Sequence, residues 1–132
     1  MLFTNIRNTN NELELKIGNE PIEKSKTVKF LGLHLDEQLT WNYHTKICSS
    51  KVAGSLNAIN RIKHFVAQKY LRALHFSVIY PYMSYGITIW GSTYNVHKKK
   101  LVVMQKRAMR VTAGAKYNET TNPIFSQLRI LK

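Results

Sequence analysis

The spacing of the apolar residues changes once along this 132-residue chain, and that change limits the folds available to it. Apolar and polar residues alternate over residues 12–17 and again over residues 27–36, which is typical of strands. From Trp41 onward the apolar residues recur at intervals of three, four and seven, which is typical of helices. The pattern therefore predicts an α+β fold, in which short N-terminal antiparallel strands precede a mainly three-helix bundle.

The N-terminal part of the pattern predicts three strand segments. Residues 1–4 begin with apolar side chains and favour a short first strand, and residues 18–21 favour a turn after the strand at 12–17. Residues 27–36 read as one strand, with Val28 and Phe30 on one face and Leu31, Leu33 and Leu35 on the other. Both faces of that strand are expected to be largely covered.

The helical part begins after Thr40, a residue type that favours the N-cap position. We expect a first helix to about His64 and a second from about Ala67 to Pro81, whose ring and missing N–H predict a kink or an end. A third helix is predicted over residues 96–112, and a short one from Asn122. The apolar stripe predicted for the third helix consists of Leu101, Met104, Ala108 and Val111.

The charge is divided unevenly between these two parts. The chain has a formal net charge of +13, and residues 1–40 hold five basic and six acidic side chains. Residues 41–132 hold fifteen basic side chains and one acidic side chain, Glu119. We therefore predict a boundary between segments 1–40 and 41–132, and a polyanionic partner for the second. Nucleic acid is favoured over an anionic membrane, and general surface charging is the simpler alternative.

The third predicted helix carries the densest set of cations, which can pair with phosphates without reading bases. A solvated helix face is the alternative interpretation of such a run. Tyr80, Tyr82 and Tyr85 could stack on bases, although aromatic residues beside a proline more often fill a core. The candidate nucleic-acid-binding residues are Lys98, Lys99, Lys100, Lys106, Arg107 and Arg110.

The sequence offers little for catalysis or for metal binding. Nucleotidyl transfer by two metal ions needs carboxylates brought together, and the chain has one aspartate, Asp36, which sits with Glu37 where a capped turn is expected. His44 and Cys48 are four residues apart, but no second ligand pair has matching spacing. We therefore predict no catalytic residue, no metal ligand and no cofactor, and the chain is not expected to be an enzyme by itself.

Cysteine content and hydropathy bear on the location of the protein. Cys48 is the single cysteine, and the first residues lack the pattern of a signal peptide. The most apolar stretch, residues 74–90, is interrupted by His75 and Pro81 and falls short of the roughly 20 apolar residues that span a bilayer. We expect an intracellular protein of the nucleus or cytoplasm that has no membrane partner.

Taken in order, several motifs of the chain resemble the region that follows the catalytic segment in jockey-type non-LTR retrotransposon reverse transcriptases. The resemblance covers nearly the whole chain, and Leu33 and Leu35 depart from the Val and Ile expected there. It rests on Lys-Phe-Leu-Gly-Leu-His-Leu-Asp at 29–36, Leu-Thr-Trp at 39–41 with His44, residues 81–86, Trp90-Gly91, and Leu101, Gln105, Arg107-Ala108 and Arg110-Val111.

The resemblance implies roles for both segments. Phe30, Leu31 and Gly32 would belong to a primer-grip hairpin at the edge of a palm, within residues 1–40, and residues 41–132 would form a thumb over a template–primer duplex of RNA or DNA. The family's paired aspartates, with their Mg²⁺, precede the region that this chain resembles. The chain is thus expected to be a truncated element copy or a partial gene model, with a reverse transcriptase palm as a further partner.

Two other interpretations stay open. The exposed palm-facing surface could make the chain a protein-interaction module, or the reading frame could be a relic whose product has no function. Without a palm to cover them, the N-terminal strands should leave an apolar surface or a sheet edge open. We expect the helical part to be the more stable of the two.

Overall fold

In a computed structural model of the chain, residue 3 and residues 15–23 and 25–128 are described. The chain divides into two compact units, Met1–His44 and Thr45–Lys132. Apart from residue 3, the strand predicted at residues 1–4 lies outside the described residues, as do residues 12–14 of the next predicted strand.

The first unit contains two antiparallel hairpins. Strand β1 (Lys16–Ile17) pairs with β2 (Glu20–Pro21), so the predicted turn is shorter than expected and its last two residues are in a strand. Strand β3 (Thr27–Phe30) pairs with β4 (Leu33–Asp36). The prediction of a single strand over residues 27–36 is therefore wrong, because the chain reverses direction in the middle of the alternating run.

The reversal occurs at a two-residue loop, Leu31–Gly32, between the paired residues Phe30 and Leu33. Both loop residues have positive φ angles, +45° for Leu31 and +81° for Gly32. This combination is that of a type I′ turn, whose twist matches the twist of the two strands it joins. Gly32 supplies the expected residue type at the second position, whereas a leucine at the first is unusual, because its Cβ disfavours positive φ.

The prediction that both faces of residues 27–36 are covered is also wrong. Leu33 is buried, but Phe30 is 62% exposed and Leu31 is 73% exposed. Each hairpin forms a two-stranded sheet, with no further strand beside it among the described residues. A sheet of two strands has too little surface to bury both of its own faces.

A short polar network leads from β4 to the first helix. One carboxylate oxygen of Asp36, Oδ1, accepts hydrogen bonds from the backbone N–H of Thr40 at 2.8 Å and from its hydroxyl at 3.1 Å. The Thr40 hydroxyl in turn accepts a bond from the N–H of Asn42 at 3.4 Å. Thr40 therefore supports the beginning of the helix that starts at Asn42, but it lies one residue before the N-cap position that the sequence predicted for it.

Most of the remaining chain is helical, and the α+β fold class is confirmed. The first and third predicted helices end within two residues of the predicted positions, and the short helix predicted from Asn122 begins there. The second predicted helix is divided into shorter segments, and the helix at Ile87–Trp90 was not predicted. No helix among the described residues is long and apolar enough to cross a bilayer. The helices are α1 (Asn42–Ile62), α2 (Gln68–Leu74), a π-helical segment (His75–Ile79), α3 (Tyr80–Ser84), α4 (Ile87–Trp90), α5 (Asn95–Ala113) and α6 (Asn122–Leu128).

The kink predicted at Pro81 takes the form of the π-helical segment. The N–H of Tyr80 donates to the carbonyl of His75, five residues earlier, instead of four. Pro81 follows in the first turn of α3, where a missing N–H costs least. The wider turn before the proline lets the helical path continue instead of ending it.

Among the residues that the structure describes, two apolar clusters pack the helices of the second unit together. The larger joins α1, α2, the π-helical segment and α5 through fully or nearly fully buried side chains, and it includes Ala108 of the predicted stripe. The smaller packs α6 against the end of α5 through Met109, Ile124, Phe125 and Leu128. The remaining buried members of the larger cluster are Val52, Leu56, Ile59, Leu71 and Ile79.

Candidate nucleic-acid interface

The six predicted cations all lie on α5, but their surroundings differ. Lys98 and Arg110 are half-buried, and the other four are exposed. At about 100° per residue, five of the six cover an arc of about 120° on the helix, opposite the side that carries the buried Leu101 and Ala108. We call this surface the basic arc, and it consists of Lys99, Lys100, Lys106, Arg107 and Arg110.

Lys98 is separated from the basic arc. Its ammonium nitrogen donates to the carbonyl of Gly91 at 2.8 Å, so it ties the beginning of α5 to the loop before it. This use accounts for its partial burial. The structure therefore brings five of the six predicted residues onto one surface and gives the sixth a structural contact.

The segment after α5 is also organised by charged side chains. The N–H of Ala115 donates to the carbonyl of Arg110 at 2.9 Å, with Gly114 at φ +69°, which ends the helix in a Schellman-type turn. The guanidinium Nε of Arg110 donates to the carbonyl of Glu119 at 2.8 Å. The Glu119 carboxylate accepts a bond from the N–H of Lys116 at 3.1 Å. Arg110 is therefore held in place at the end of the basic arc.

A cleft of about 400 Å³ opens beside the C-terminal ends of α1 and α5. We call it the basic cleft. It shares Arg107 and Arg110 with the basic arc, and sequence analysis did not single out its other polar residues. The sequence signal that could have indicated this cleft is the adjacent pair Lys63 and His64, directly after α1. The polar and aromatic residues that line the basic cleft are Asn60, Lys63, His64, Arg107, Arg110 and Tyr117.

A second cleft, of about 340 Å³, lies between the segment Tyr80–Trp90 and the opposite side of α5. Its lining is mainly apolar, from residues such as Met83, Ile87 and Leu101. Of the tyrosines considered for stacking, Tyr80 lines this cleft and is half-buried, whereas Tyr82 and Tyr85 are exposed. Neither Tyr82 nor Tyr85 belongs to the fully buried core, and the ammonium of Lys51 lies 5.1 Å from the ring centre of Tyr82.

In the first unit, the predicted primer-grip residues Phe30, Leu31 and Gly32 form the tip of the β3–β4 hairpin, and all three are exposed. The tip is apolar, and it includes the unusual positive φ angle of Leu31. The motif residues around position 40 serve the local structure instead. The N–H of His34 donates to Nδ1 of His44 at 3.4 Å, and the rings of Trp41 and His44 meet edge to face at 6.3 Å.

The residues weighed for metal or catalytic chemistry have structural surroundings. His44 and Cys48 are both buried. Burial raises the pKa of the Cys48 thiol, with Lys51 acting in the opposite direction, so the thiol stays protonated and unreactive near neutral pH. Within the part of the chain that the structure describes, no group of three or more His, Cys, Asp or Glu side chains is placed to hold a metal ion.

His75 is a buried titratable residue that sequence analysis did not single out for chemistry. It lies in the π-helical segment with 1% of its surface exposed, and its Nδ1 has no hydrogen-bond partner among the described residues. Burial lowers the pKa of its imidazole from 6.5 to about 4. His75 is therefore neutral at physiological pH and part of the core.

The sequence of the chain is similar to two known proteins. Over 100 residues, 73% of this chain and 11% of the other protein, the chain is 31% identical to "Probable RNA-directed DNA polymerase from transposon BS" of Drosophila melanogaster. Over 115 residues, 83% of this chain and 12% of the other protein, it is 21% identical to "Probable RNA-directed DNA polymerase from transposon X-element" of the same organism. The matched part of the chain thus spans about a tenth of the length of these curated relatives.

No family model matches the chain, and no solved structure matches it. The two similarities support homology with the reverse transcriptase family.

Proposed function

We propose, from the premise that the chain is homologous to part of the RNA-directed DNA polymerases of transposons, that it is the primer-grip and thumb portion of a jockey-type non-LTR reverse transcriptase. In this proposal its task is to bind template–primer duplex through the basic arc. Synthesis belongs to a catalytic segment that carries the paired aspartates and their Mg²⁺. The chain itself needs no cofactor and works in the nucleus or cytoplasm.

The observation that carries the proposal is the basic arc on α5. Its cations stand on a helix that is fixed by buried apolar residues on its other side. From Lys99 to Arg110 the arc extends about 16 Å along the helix axis, which is the axial rise of roughly five base pairs. A single acidic residue, Glu119, occurs among residues 41–132, so little negative charge opposes a polyanion there.

Such a surface binds the phosphate backbone and does not read sequence. Each lysine ammonium acts as a point charge, and the Arg107 guanidinium can bind two phosphate oxygens at once. Each phosphate contact releases condensed counterions, which supplies most of the affinity. A polymerase that moves along its substrate needs binding of this sequence-independent kind.

The hairpin tip supports the second part of the proposal, which is a primer grip formed by Phe30, Leu31 and Gly32. Phe30 and Leu31 are exposed and apolar at a tight turn. An apolar tip can pack against the sugar of a strand terminus, while the backbone of Gly32 allows close approach. The strained φ of Leu31 also fits a functional site, because unfavourable backbone angles persist where they serve a role.

The proposal is tested by the salt dependence of binding to a blunt duplex. Replacing Lys99 and Lys106 by Ala should lower the slope of log affinity against log salt concentration by roughly 1.5, at about 0.7–0.9 per phosphate. Arg110 is left unchanged, since its bond to Glu119 holds the segment after α5. Fluorescence anisotropy with a labelled duplex at several salt concentrations gives the slope.

A charge-matched control is the variant Lys46→Ala/Lys69→Ala, which removes two exposed lysines from α1 and α2 of the same unit. It should change the slope by less than half as much. An equal effect of the two double variants would mean that net charge and not the basic arc determines binding. An affinity that is insensitive to salt would contradict the proposal altogether.

A second candidate function is docking to a protein through the hairpin tip, with a reverse transcriptase palm as the partner. The observation that favours it is the apolar exposure of Phe30 and Leu31, since exposed apolar groups at one place often mark an interface. A polymerase that lacks this segment would be supplied with the chain in trans. Binding of that polymerase to wild type but not to Phe30→Ser, measured without nucleic acid, would favour docking, because a primer grip alone would leave this binding unchanged.

A further inference from the structure

The basic cleft has the size and the construction of a ligand site. Its volume of about 400 Å³ lies within the range of roughly 300–1,000 Å³ that small-molecule sites occupy. Three parts of the helical unit form it, because Asn60 and Lys63 come from the end of α1 and the turn after it, Arg107 from α5, and Tyr117 from the segment after α5. Arg110 fixes one wall through its hydrogen bond to the Glu119 carbonyl.

The basic cleft has more positive charge than is needed to offset the partial negative charges of the two helix ends beside it, so it favours an anion. Cations near the C-terminal end of a helix offset its partial negative charge of about one half, so two helix ends account for roughly one positive charge. Lys63, Arg107 and Arg110 bring three. Glu119 does not line the cleft, and its carboxylate accepts a bond from the N–H of Lys116. A net positive charge is left for a phosphate.

The aromatic and amide groups of the basic cleft suit an unpaired base. Tyr117 is 81% exposed, so most of its ring surface is open to a ligand. Asn60 is exposed on the same cleft and carries both a donor and an acceptor. Aromatic side chains stack on bases that have left a duplex, and amides bind their free edges.

The basic arc leads directly into the basic cleft. Arg107 and Arg110 belong to both, at the C-terminal end of α5. A strand whose phosphates follow the arc toward that end therefore reaches the cleft after the last duplex contact.

We propose that the basic cleft receives an unpaired nucleotide adjoining the bound duplex, with its phosphate between Lys63 and Arg107 and its base stacked on Tyr117. This rests on the proposed function, in which the basic arc holds the duplex. The protein would then recognise the junction of double- and single-stranded nucleic acid and not the duplex alone.

The test compares two DNA hairpins with the same stem, one blunt and one with a four-nucleotide single-stranded overhang. Wild type should bind the overhang hairpin more tightly. Tyr117→Ala should lower affinity for the overhang hairpin by about five- to 150-fold, the range that loss of one base–aromatic contact gives, and should leave affinity for the blunt hairpin unchanged. Tyr117→Phe, which keeps the ring, should behave like wild type.

A matched control is Tyr94→Ala, which removes another highly exposed tyrosine, one that does not line the basic cleft. It should bind both hairpins like wild type. The inference is overturned if wild type binds the two hairpins equally, or if Tyr117→Ala affects both or neither. If wild type does not bind the blunt hairpin at all, the proposed function itself is contradicted. Failure of the inference and failure of the proposed function are therefore distinguishable.

Discussion

The two units of the chain differ in where unfavourable backbone angles occur and in how fully their apolar side chains are buried. Among the described residues, the three non-glycine residues with positive φ, Leu31, Leu39 and Trp41, all lie in the first unit. In the helical unit the positive φ angles fall on Gly86 and Gly114, where no Cβ opposes them.

Burial differs in the same direction. The apolar side chains of the hairpins are mostly exposed, whereas α1, α2 and α5 share a cluster of fully buried apolar side chains. In the helical unit, backbone angles and burial thus agree with the preferences of the residue types. In the hairpin unit, some residues adopt unfavourable φ angles and some apolar side chains stay exposed. Such violations concentrate where a surface meets a partner. Hydrogen exchange should accordingly be slower in the core helices than in the hairpins.

The largest expected effect is the difference in unfolding free energy between removing a buried apolar side chain of the helical unit and removing an exposed one of the hairpin unit. Leu56 is 1% exposed in the core of the helical unit, and Leu56→Ala should lower the free energy of unfolding by about 2–5 kcal/mol, because it removes buried contacts and leaves a cavity. Phe30→Ala removes a larger but exposed side chain, and a change within about 0.5 kcal/mol is expected. Urea denaturation followed by circular dichroism measures both.

Similar effects of Leu56→Ala and Phe30→Ala would break the comparison. They would mean that Phe30 is buried in the folded protein in solution and that the hairpin tip is not an exposed surface. The primer-grip and docking proposals would then both lose their physical basis.

The second expected effect concerns acid sensitivity of the helical unit. Because burial lowers the pKa of His75 to about 4 from an ordinary value near 6.5, the unfolded state binds more protons between these values. The stability that neutral His75 provides is complete above pH 6.5 and is lost as pH falls toward 4. Between pH 7 and pH 5 the loss should be about 2 kcal/mol.

The variant His75→Leu isolates this effect, since leucine has a similar volume and does not titrate. The difference in unfolding free energy between wild type and variant should change by about 2 kcal/mol across that interval. A difference that stays constant with pH would show that the His75 imidazole has the same pKa in the folded and unfolded states, and that the π-helical segment is more open to water than the buried position of His75 implies.

The same contrast between units explains which features the sequence could predict. Helices α1 and α5 were predicted to within two residues, because their apolar stripes are long and the core they form lies within one segment of the chain. Periodicity missed the hairpin because residues 27–36 alternate without interruption, and alternation is the same in one strand or in two strands joined by a two-residue turn. The family resemblance, by contrast, placed Phe30, Leu31 and Gly32 in a hairpin, where the structure has them. Gly32 was the available signal, but Leu31 before it does not fit the usual turn residues.

The candidate site was predicted to a different extent in its two parts. Helical spacing was enough to place Lys99, Lys106 and Arg110 on one surface. The basic cleft could not be predicted, because it depends on where Tyr117 lies after the turn at Gly114 and on how the end of α1 approaches α5. Periodicity carries no information about such distances between elements.

The smallest expected effect concerns Leu31, a residue of the hairpin unit with an unfavourable positive φ angle. Leu31→Asn places a residue that tolerates positive φ at the first position of the type I′ turn. We expect it to stabilise the hairpin by about 1 kcal/mol, so the amides of β3 should exchange roughly five-fold more slowly. Affinity for a template–primer with a recessed 3′ end should fall, because the apolar tip loses its leucine. Affinity for a blunt duplex away from the tip should not change.

Gly32→Ala serves as the control for turn geometry, since a Cβ at φ +81° should speed the same amides by a comparable factor. If Leu31→Asn also speeds exchange, the contacts of the leucine side chain outweigh the strain of its backbone, and Leu31 is a structural residue. If exchange slows and binding of the recessed primer is unchanged, the strain has no binding role. Only slower exchange together with weaker primer binding ties the unfavourable angle to a function of the hairpin tip.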